Sequence, residues 1–299
     1  MKSRFSQLSP KHRAILFMMG MVSLFAMLET TAKSLSETYP VPFIVWFRYL
    51  SHCLLMIILV GPRYRFRLVK TDNLKAQVLR AVLLMGSTLF YFSALSGLPL
   101  ATAKSISFVS PLLVTIFAYW LLKEQVSLSR WIAVVAGFFG VLLVINPTQA
   151  FDWHLLLPLV AATCYSLYQI MTRHFSSREH PVTTLFYTAL VGTILFSLVV
   201  PFFWVTPEIS DLPLFVFLGF AGAFGHFMLI KAMELEDASF LSPLGYVQLL
   251  WVTLLGYLVF DHLPGTQGFV GMAIIVGAGL YVAIGHKSRP TEMPDTANE

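Results

Sequence analysis

Charged residues are scarce in this sequence. Asp, Glu, Lys and Arg make up 12% of the 299 residues, whereas a soluble domain carries about 25%. Hydrophobic residues make up 57%, and the mean hydropathy is +0.75. The net charge of +5 does not indicate a nucleic-acid partner, because the basic residues lie at the ends of apolar runs instead of along a polar surface. The composition therefore excludes an ordinary soluble domain and favours a membrane protein.

Cysteine is nearly absent, and so are the motifs of enzyme chemistry. The two cysteines, Cys53 and Cys164, both fall within apolar runs, which argues against a disulfide framework. The apolar runs contain no HExxH zinc pair, no GxSxG elbow, no phosphate loop and no pair of catalytic carboxylates. We therefore expect no enzyme activity, no cofactor and no metal site, with a membrane-embedded enzyme or a sensor as the remote alternative.

Long apolar runs fill the chain instead. A helix needs about 20 mainly apolar residues to cross a bilayer, and ten segments meet this requirement. The sequence therefore predicts an all-α membrane protein with ten transmembrane helices, in which Pro111 and Pro243 kink the fourth and the ninth. The predicted segments are residues 14–36, 41–60, 76–97, 99–122, 128–146, 154–174, 182–205, 212–235, 238–260 and 266–285.

The charges between the segments predict their orientation. With the N-terminus in the cytoplasm, no outside loop holds a clear Lys or Arg, as the positive-inside rule requires. We expect a multi-pass protein of a bacterial-type inner (plasma) membrane with both termini in the cytoplasm. The outside loops carry acidic residues, namely Glu37, Asp152, Glu208, Asp211 and Asp261.

The two halves of the chain repeat weakly. A shift of about 138 residues places Phe108-Val109 on Tyr246-Val247. Five helices in each half give the halves opposite orientations in the membrane, as in many secondary transporters. We expect a cytoplasmic N-terminal segment (1–13), two inverted five-helix repeats (14–146 and 147–285) around a central cavity, and a disordered cytoplasmic tail (286–299).

A motif from residue 91 to residue 124 combines Tyr-x-x-Ala-Leu, a small-residue turn, Ser-x-x-x-Pro-Leu and a closing glutamate. Its residues are Tyr91, Ala94, Leu95, Ser107, Pro111, Leu112 and Glu124. This motif resembles the EamA-type domain of the drug/metabolite transporter (DMT) superfamily, and Lys33 and Arg48 look like that family's usual basic pair. The second half departs from the pattern, because it reads Phe260-Asp261-His262 where the family would close on glutamate.

The resemblance extends over residues 14–285. It implies a ten-helix carrier whose central cavity is formed mainly by helices 1, 3, 4, 6, 8 and 9. It also implies alternating access driven by a gradient, without ATP hydrolysis.

Glu29 and Lys33 share one face of the first helix because they are four residues apart. One interpretation is an ion pair that makes both charges tolerable in the membrane. The other is that Glu29 carries a coupling proton or meets a substrate amine, because intramembrane carboxylates are typical of proton pathways. With Arg48, they form a predicted coupling or charge network.

Arg48 and Lys104 are two further charges within the predicted spans of the first half. Arg48 is interpreted mainly as a brace between helices through bidentate hydrogen bonds. Lys104 lies roughly 8 Å from the start of its helix, so it either snorkels outward or faces the cavity and binds a carboxylate or phosphate. Together with Glu29 and Lys33 these charges favour a substrate with an anionic group.

The predicted substrate site combines Lys104 and Glu29 with polar aromatic and amide side chains at mid-span positions. For these additional residues a cavity role and a packing role both stay open. His226 stands in a glycine-rich stretch whose spacing suggests close helix packing. The additional residues are Tyr91, Tyr165, Gln169, His226, Tyr246, Gln248 and Trp251.

The sequence thus predicts a secondary active transporter for a small amphoteric or anionic metabolite, either an amino-acid-like solute or an organic acid. The alternative within the family is an exporter of lipophilic or cationic drugs or toxic metabolites. The expected partners are the solute, membrane lipid and a coupled proton or exchanged solute, with no nucleic acid. Transport direction and the choice between monomer and dimer stay open.

Overall fold

The computed structural model consists of helices joined by short connections. The structure describes residues 8–123, 126–145, 152–175, 180–236, 241 and 244–284, and these contain no β-strand. Glu124, Pro243 and the predicted tail lie outside the described residues. The longer helices are α1 (Pro10–Leu35), α2 (Val41–Leu55), α3 (Leu74–Gly97), α4 (Leu100–Ser107), α5 (Ser110–Leu122), α6 (Leu128–Ile145), α7 (Leu157–Phe175), α8 (Pro181–Val199), α9 (Leu212–Met233), α10 (Val247–Phe260) and α11 (Thr266–Ile284).

Eight helical stretches of the described chain are long and apolar enough to cross a membrane. They correspond to the first eight predicted segments, so the chain is an all-α, multi-pass membrane protein. α10 has only 14 residues, and α11 is shorter than a span over its described side chains, Thr266–Tyr281. The eight are Pro10–Leu35, Val41–Tyr64, Leu74–Gly97, Leu100–Leu121, Leu128–Ile145, Trp153–Thr172, Val182–Phe203 and Leu212–Met233.

The predicted fourth segment is broken into two helices. α4 ends at Ser107 and α5 begins at Ser110. Pro111 explains the break, because it has no N–H to donate to the carbonyl of Ser107 and its ring crowds that carbonyl. The break places Phe108 between the two helices, where its ring lies 5.0 Å from that of Tyr246.

Helices from the two halves of the chain pack against each other in pairs. α1 lies against α9 and α10, whereas α3 lies against α7 and α8. α2 lies against α8 and α9, α4 against α10, α5 against α7, and α6 against α11. The main core between these helices is built from large buried side chains such as Phe43, Tyr49, Leu95 and Phe215.

α6 and α11 approach each other closely through two glycines. A Cβ atom added to Gly140 would lie 2.9 Å from the carbonyl oxygen of Gly271, and one added to Gly271 would lie 2.7 Å from that of Gly140. Any larger residue at either position would force the backbones apart, so glycine is required for this crossing.

Candidate substrate-binding site

Glu29 is the centre of a buried polar network where α1, α3, α4 and α10 meet. Its Oε1 lies 2.7 Å from the ammonium of Lys104 and accepts a hydrogen bond from Nε2 of Gln248 at 3.0 Å. Its Oε2 accepts a hydrogen bond from the hydroxyl of Tyr91 at 3.1 Å. The side chains of Lys104 and Glu29 are 14% and 8% exposed, so the ion pair is nearly closed off from its surroundings.

Lys104 points into the protein and does not snorkel outward. Besides Glu29, its ammonium faces the rings of Phe108 at 5.3 Å and Tyr91 at 5.5 Å. Tyr246 lies beyond Phe108, with a buried hydroxyl that has no hydrogen-bond partner. The centre therefore offers a cation, a carboxylate and aromatic faces in one place.

Lys33 does not pair with Glu29, which corrects the ion-pair interpretation. Its ammonium donates hydrogen bonds to the carbonyl oxygens of Leu95 and Leu98, both at 2.9 Å. The reason lies in the end of α3. The carbonyl of Leu95 would normally accept from residue 99, but Pro99 has no N–H. The ammonium of Lys33 supplies the missing donor, and Glu29 forms its ion pair with Lys104 instead.

A cavity of about 850 Å3 opens beside this lysine. Its walls come from the last turn of α1, the α3–α4 connection and the end of α10, and they include Glu37, Gly97, Phe260 and His262. Lys33 lines this cavity, whereas Glu29 and Lys104 do not. The Glu29 network therefore does not form the wall of this cavity.

Arg48 lies outside the Glu29 network. Its Nη1 is 3.4 Å from the hydroxyl of Thr88, a long contact, and its guanidinium lies 5.9 Å from the Phe92 ring. Its Nε has no hydrogen-bond partner. The structure therefore does not place Arg48 in one network with Glu29 and Lys33.

The remaining predicted residues lie at several places in the fold. Nε2 of Gln169 donates to the hydroxyl of Ser110 at 3.2 Å, and Tyr165 stacks on Tyr168. The ring of His226 meets that of Phe25 edge to face. Trp251 is on the exposed side of α10. Of the predicted set, the structure brings together Glu29, Lys104, Tyr91, Gln248 and, through Phe108, Tyr246.

Sequence reasoning missed Arg80 as a buried charge. Only 3% of Arg80 is exposed, and its guanidinium donates to the hydroxyls of Thr172 at 3.1 Å and Thr184 at 3.3 Å. It also lies 5.5 Å from the ring of Tyr168. The positive-inside rule alone groups it with the basic residues at the cytoplasmic ends of the segments. Its place well inside α3 was the signal that it belongs to the interior.

No cluster of three or more metal-ligating side chains occurs in the part of the chain that the structure describes. The arrangement at Glu29 suits a different task. A carboxylate and an ammonium side by side can each take up an opposite charge from a solute, while tyrosine and amide groups hold the carboxylate in place.

Comparison with known proteins gives consistent matches. The model of the EamA-like transporter family matches residues 12–146 and 152–284. An S-adenosylmethionine uptake transporter of Rickettsia prowazekii (strain Madrid E) is 30% identical over 220 residues, which are 73% of this chain and 75% of the relative. A riboflavin transporter of Vibrio cholerae serotype O1 is 29% identical over 211 residues, 70% of this chain and 71% of the relative.

One solved crystal structure matches nearly the whole chain. It covers 91% of this chain and 96% of its own, with a TM-score of 0.64 and 21% sequence identity. The two proteins therefore share a fold.

Proposed function

Since the chain belongs to the EamA-like transporter family, we propose that it is a secondary active transporter for a small amphoteric metabolite. The resemblance to this family is confirmed, and the chain is a membrane transporter rather than an enzyme. Two of its relatives are named as transporters of S-adenosylmethionine and of riboflavin. The first of these solutes is the leading candidate substrate.

The Glu29–Lys104 ion pair carries this proposal. An amphoteric solute brings one positive and one negative group, so it can enter between the two side chains and give each of them a new partner. An anion alone would leave Glu29 without a cation, and a lipophilic cation would leave Lys104 without an anion. Either result is costly for a charge buried in a membrane protein.

S-adenosylmethionine has the chemistry that this site would recognise. Its amino-acid part carries an ammonium and a carboxylate, which match Glu29 and Lys104. Its sulfonium and purine suit the aromatic faces of Tyr91 and Phe108. Riboflavin lacks both amino-acid charges, so the ion pair favours the first solute over the second.

The pairs of helices support a ten-helix inverted repeat. If α7, α8, α9, α10 and α11 repeat α1, α2, α3, α4–α5 and α6 in this order, contacts between the halves should come in matched sets. α1–α9 then corresponds to α3–α7, α1–α10 to α5–α7, and α2–α9 to α3–α8, and all six pairs are in contact. Two such repeats rocking against each other would open the site to one side at a time, in an inner membrane with both termini cytoplasmic.

The test is uptake of labelled solutes into proteoliposomes that contain the purified protein, with and without a pH gradient. We expect S-adenosylmethionine to accumulate and riboflavin and a lipophilic cation not to. Lys104→Ala should abolish accumulation. Lys231→Ala is the matched control, because Lys231 also pairs with a glutamate, Glu234 at 2.6 Å, but on the surface. Accumulation of the lipophilic cation alone, or full activity of Lys104→Ala, would overturn the proposal.

A further inference from the structure

Arg48 is a buried cation without an anionic partner among the residues that the structure describes. Only 6% of the residue is exposed, and no described carboxylate lies within ion-pair distance of it. Its one hydrogen bond, to Thr88, is long at 3.4 Å, and its Nε–H has no acceptor. A guanidinium has five N–H donors and remains charged at any physiological pH. A charge in this position needs a counter-charge or a well-formed set of acceptors.

Arg80 shows what such a set of acceptors looks like in the same molecule. It is as deeply buried as Arg48, but its Nε and Nη1 donate to the hydroxyls of Thr172 and Thr184. Neutral side chains thus bind the guanidinium of Arg80 on two sides. The corresponding atom of Arg48, its Nε, has no hydrogen-bond acceptor.

A second unpartnered group lies one helical turn from Arg48. His52 is 2% exposed, and its Nε2 has no hydrogen-bond partner. Residues four apart share a face of a helix, so His52 and Arg48 both face α9, which packs on α2. On α9, His226 lies one helical turn from Gly222, which faces Arg48. Arg48, His52 and His226 therefore lie near this contact of α2 with α9, and none of them forms an ion pair with a carboxylate among the described residues.

The wall opposite Arg48 has room for one methyl-sized group. A Cβ atom added to Gly222 would lie 3.5 Å from Nη2 of Arg48 and 3.6 Å from its Nε, with no closer neighbour. Gly219, one turn earlier, is different, because a Cβ atom there would lie 2.6 Å from the backbone nitrogen of His52. Gly219 is therefore required for helix contact, whereas Gly222 leaves room beside the guanidinium.

We propose that Arg48, His52 and Gly222 form a binding position for a small monoanion, either a carboxylate group or a halide ion, separate from the Glu29–Lys104 pair. The anion would accept from the Nε–H of Arg48 and neutralise a charge that no described carboxylate pairs with. A carboxylate would come from a transported solute, and a halide would come from the medium.

Anion binding can be measured on the purified full-length protein without any transport assay. The Tm is followed while sodium acetate or sodium bromide replaces sodium gluconate at constant ionic strength. Gluconate is the reference because its polyol chain is too large for the space beside Gly222. We expect a saturable rise in Tm with acetate, with bromide or with both. Saturation by acetate alone identifies a carboxylate site, and saturation by bromide identifies a halide site.

Gly222→Ala locates the site without removing a charge. Its methyl group fills the space beside Arg48 at van der Waals distance, so the protein should fold while the apparent Kd for the anion rises about tenfold, as expected when a charged hydrogen bond is lost. Gly277→Ala is the matched control in another helix, because a Cβ atom there meets nothing within 4 Å. No saturable rise with either anion, or an equal Kd in Gly222→Ala and the wild type, would overturn the proposal.

Discussion

The two family-matched segments, 12–146 and 152–284, contribute differently to the buried polar groups. Among the described residues, the buried acidic and basic side chains Glu29, Arg48 and Arg80 all come from the first segment, as does the nearly buried Lys104. The second segment supplies neutral partners. Gln248 donates to Glu29, the hydroxyls of Thr172 and Thr184 accept from Arg80, and Gly222 faces Arg48.

The buried charges and the neutral groups that stabilise them thus come from different segments. A membrane protein must stabilise each buried charge, and dipoles do so without adding a second charge to balance. The first segment therefore determines the net charge of the described buried side chains, and the second supplies neutral partners for them.

Removing the carboxylate from the first segment should have the largest effect. Glu29→Gln leaves Lys104 buried without an anion, so we expect transport to stop and the free energy of unfolding to fall by about 3–5 kcal/mol. The measurement is solute uptake together with denaturation in detergent. Lys231→Ala breaks a pair whose side chains are 39% and 49% exposed, and should cost no more than about 1 kcal/mol. Equal losses in both variants would contradict the central role of Glu29.

Loss of the contacts between Arg80 and the second segment should have the next largest effect on stability. Arg80→Met removes two hydrogen bonds to hydroxyls, and we expect the free energy of unfolding to fall by about 3 kcal/mol. A double-mutant cycle with Thr184→Val isolates the contribution of one of them. Additive effects of the two substitutions would show that Arg80 and Thr184 do not stabilise each other.

A smaller effect is expected at Gln248, the neutral partner of Glu29. Gln248→Met removes one hydrogen bond to a carboxylate, so the free energy of unfolding should fall by about 1.5 kcal/mol, and the apparent KM for the solute should rise. The exchange variant Glu29→Gln with Gln248→Glu then moves the carboxylate into the second segment. We expect it to regain stability relative to Glu29→Gln but not transport. Recovery of transport would show that the segment carrying the charge does not matter.

The smallest effect concerns a charge that the second segment carries outside the membrane. The backbone N–H and the ring of His154 donate to Asp152 at 2.9 and 2.7 Å and hold the pKa of its carboxyl below the ordinary value. A depressed carboxyl pKa adds stability above the unfolded-state pKa, and this stability is lost as the pH falls through the folded-state pKa. Asp152→Asn should therefore flatten the acid side of the Tm profile slightly. An unchanged profile would mean that the contact is too exposed to matter.

The fold was largely predictable because apolar length is a local property of the sequence. The eight spans in the structure follow the first eight predicted segments, and the break at Pro111 follows from the missing N–H of proline. Of the ninth segment, predicted from residue 238, α10 covers Val247–Phe260, and Leu241, Leu244 and Gly245 before it are also helical. Its full length and the inverted repeat stay predictions.

The site was predictable only in part. Charges inside apolar runs identified Glu29 and Lys104, and polar residues at mid-span identified Tyr91 and Gln248. Their partners depend on contacts between helices, which spacing along one helix does not reveal. The i,i+4 rule paired Glu29 with Lys33, whereas the lysine instead satisfies carbonyls at the end of α3. That the assembled residues bind a solute stays a prediction.

The glycine crossing of α6 and α11 has a consequence for how the protein is made. α6 leaves the ribosome well before α11, yet the space at Gly140 is filled by α11, through the backbone of Gly271 and the side chains of Ile274 and Ile275. During synthesis this face of α6 lacks its native partner and is covered by lipid or by another helix until α11 is made. Native assembly therefore cannot finish until α11 has been inserted, and a chain shortened before α11 should be a substrate for membrane quality control.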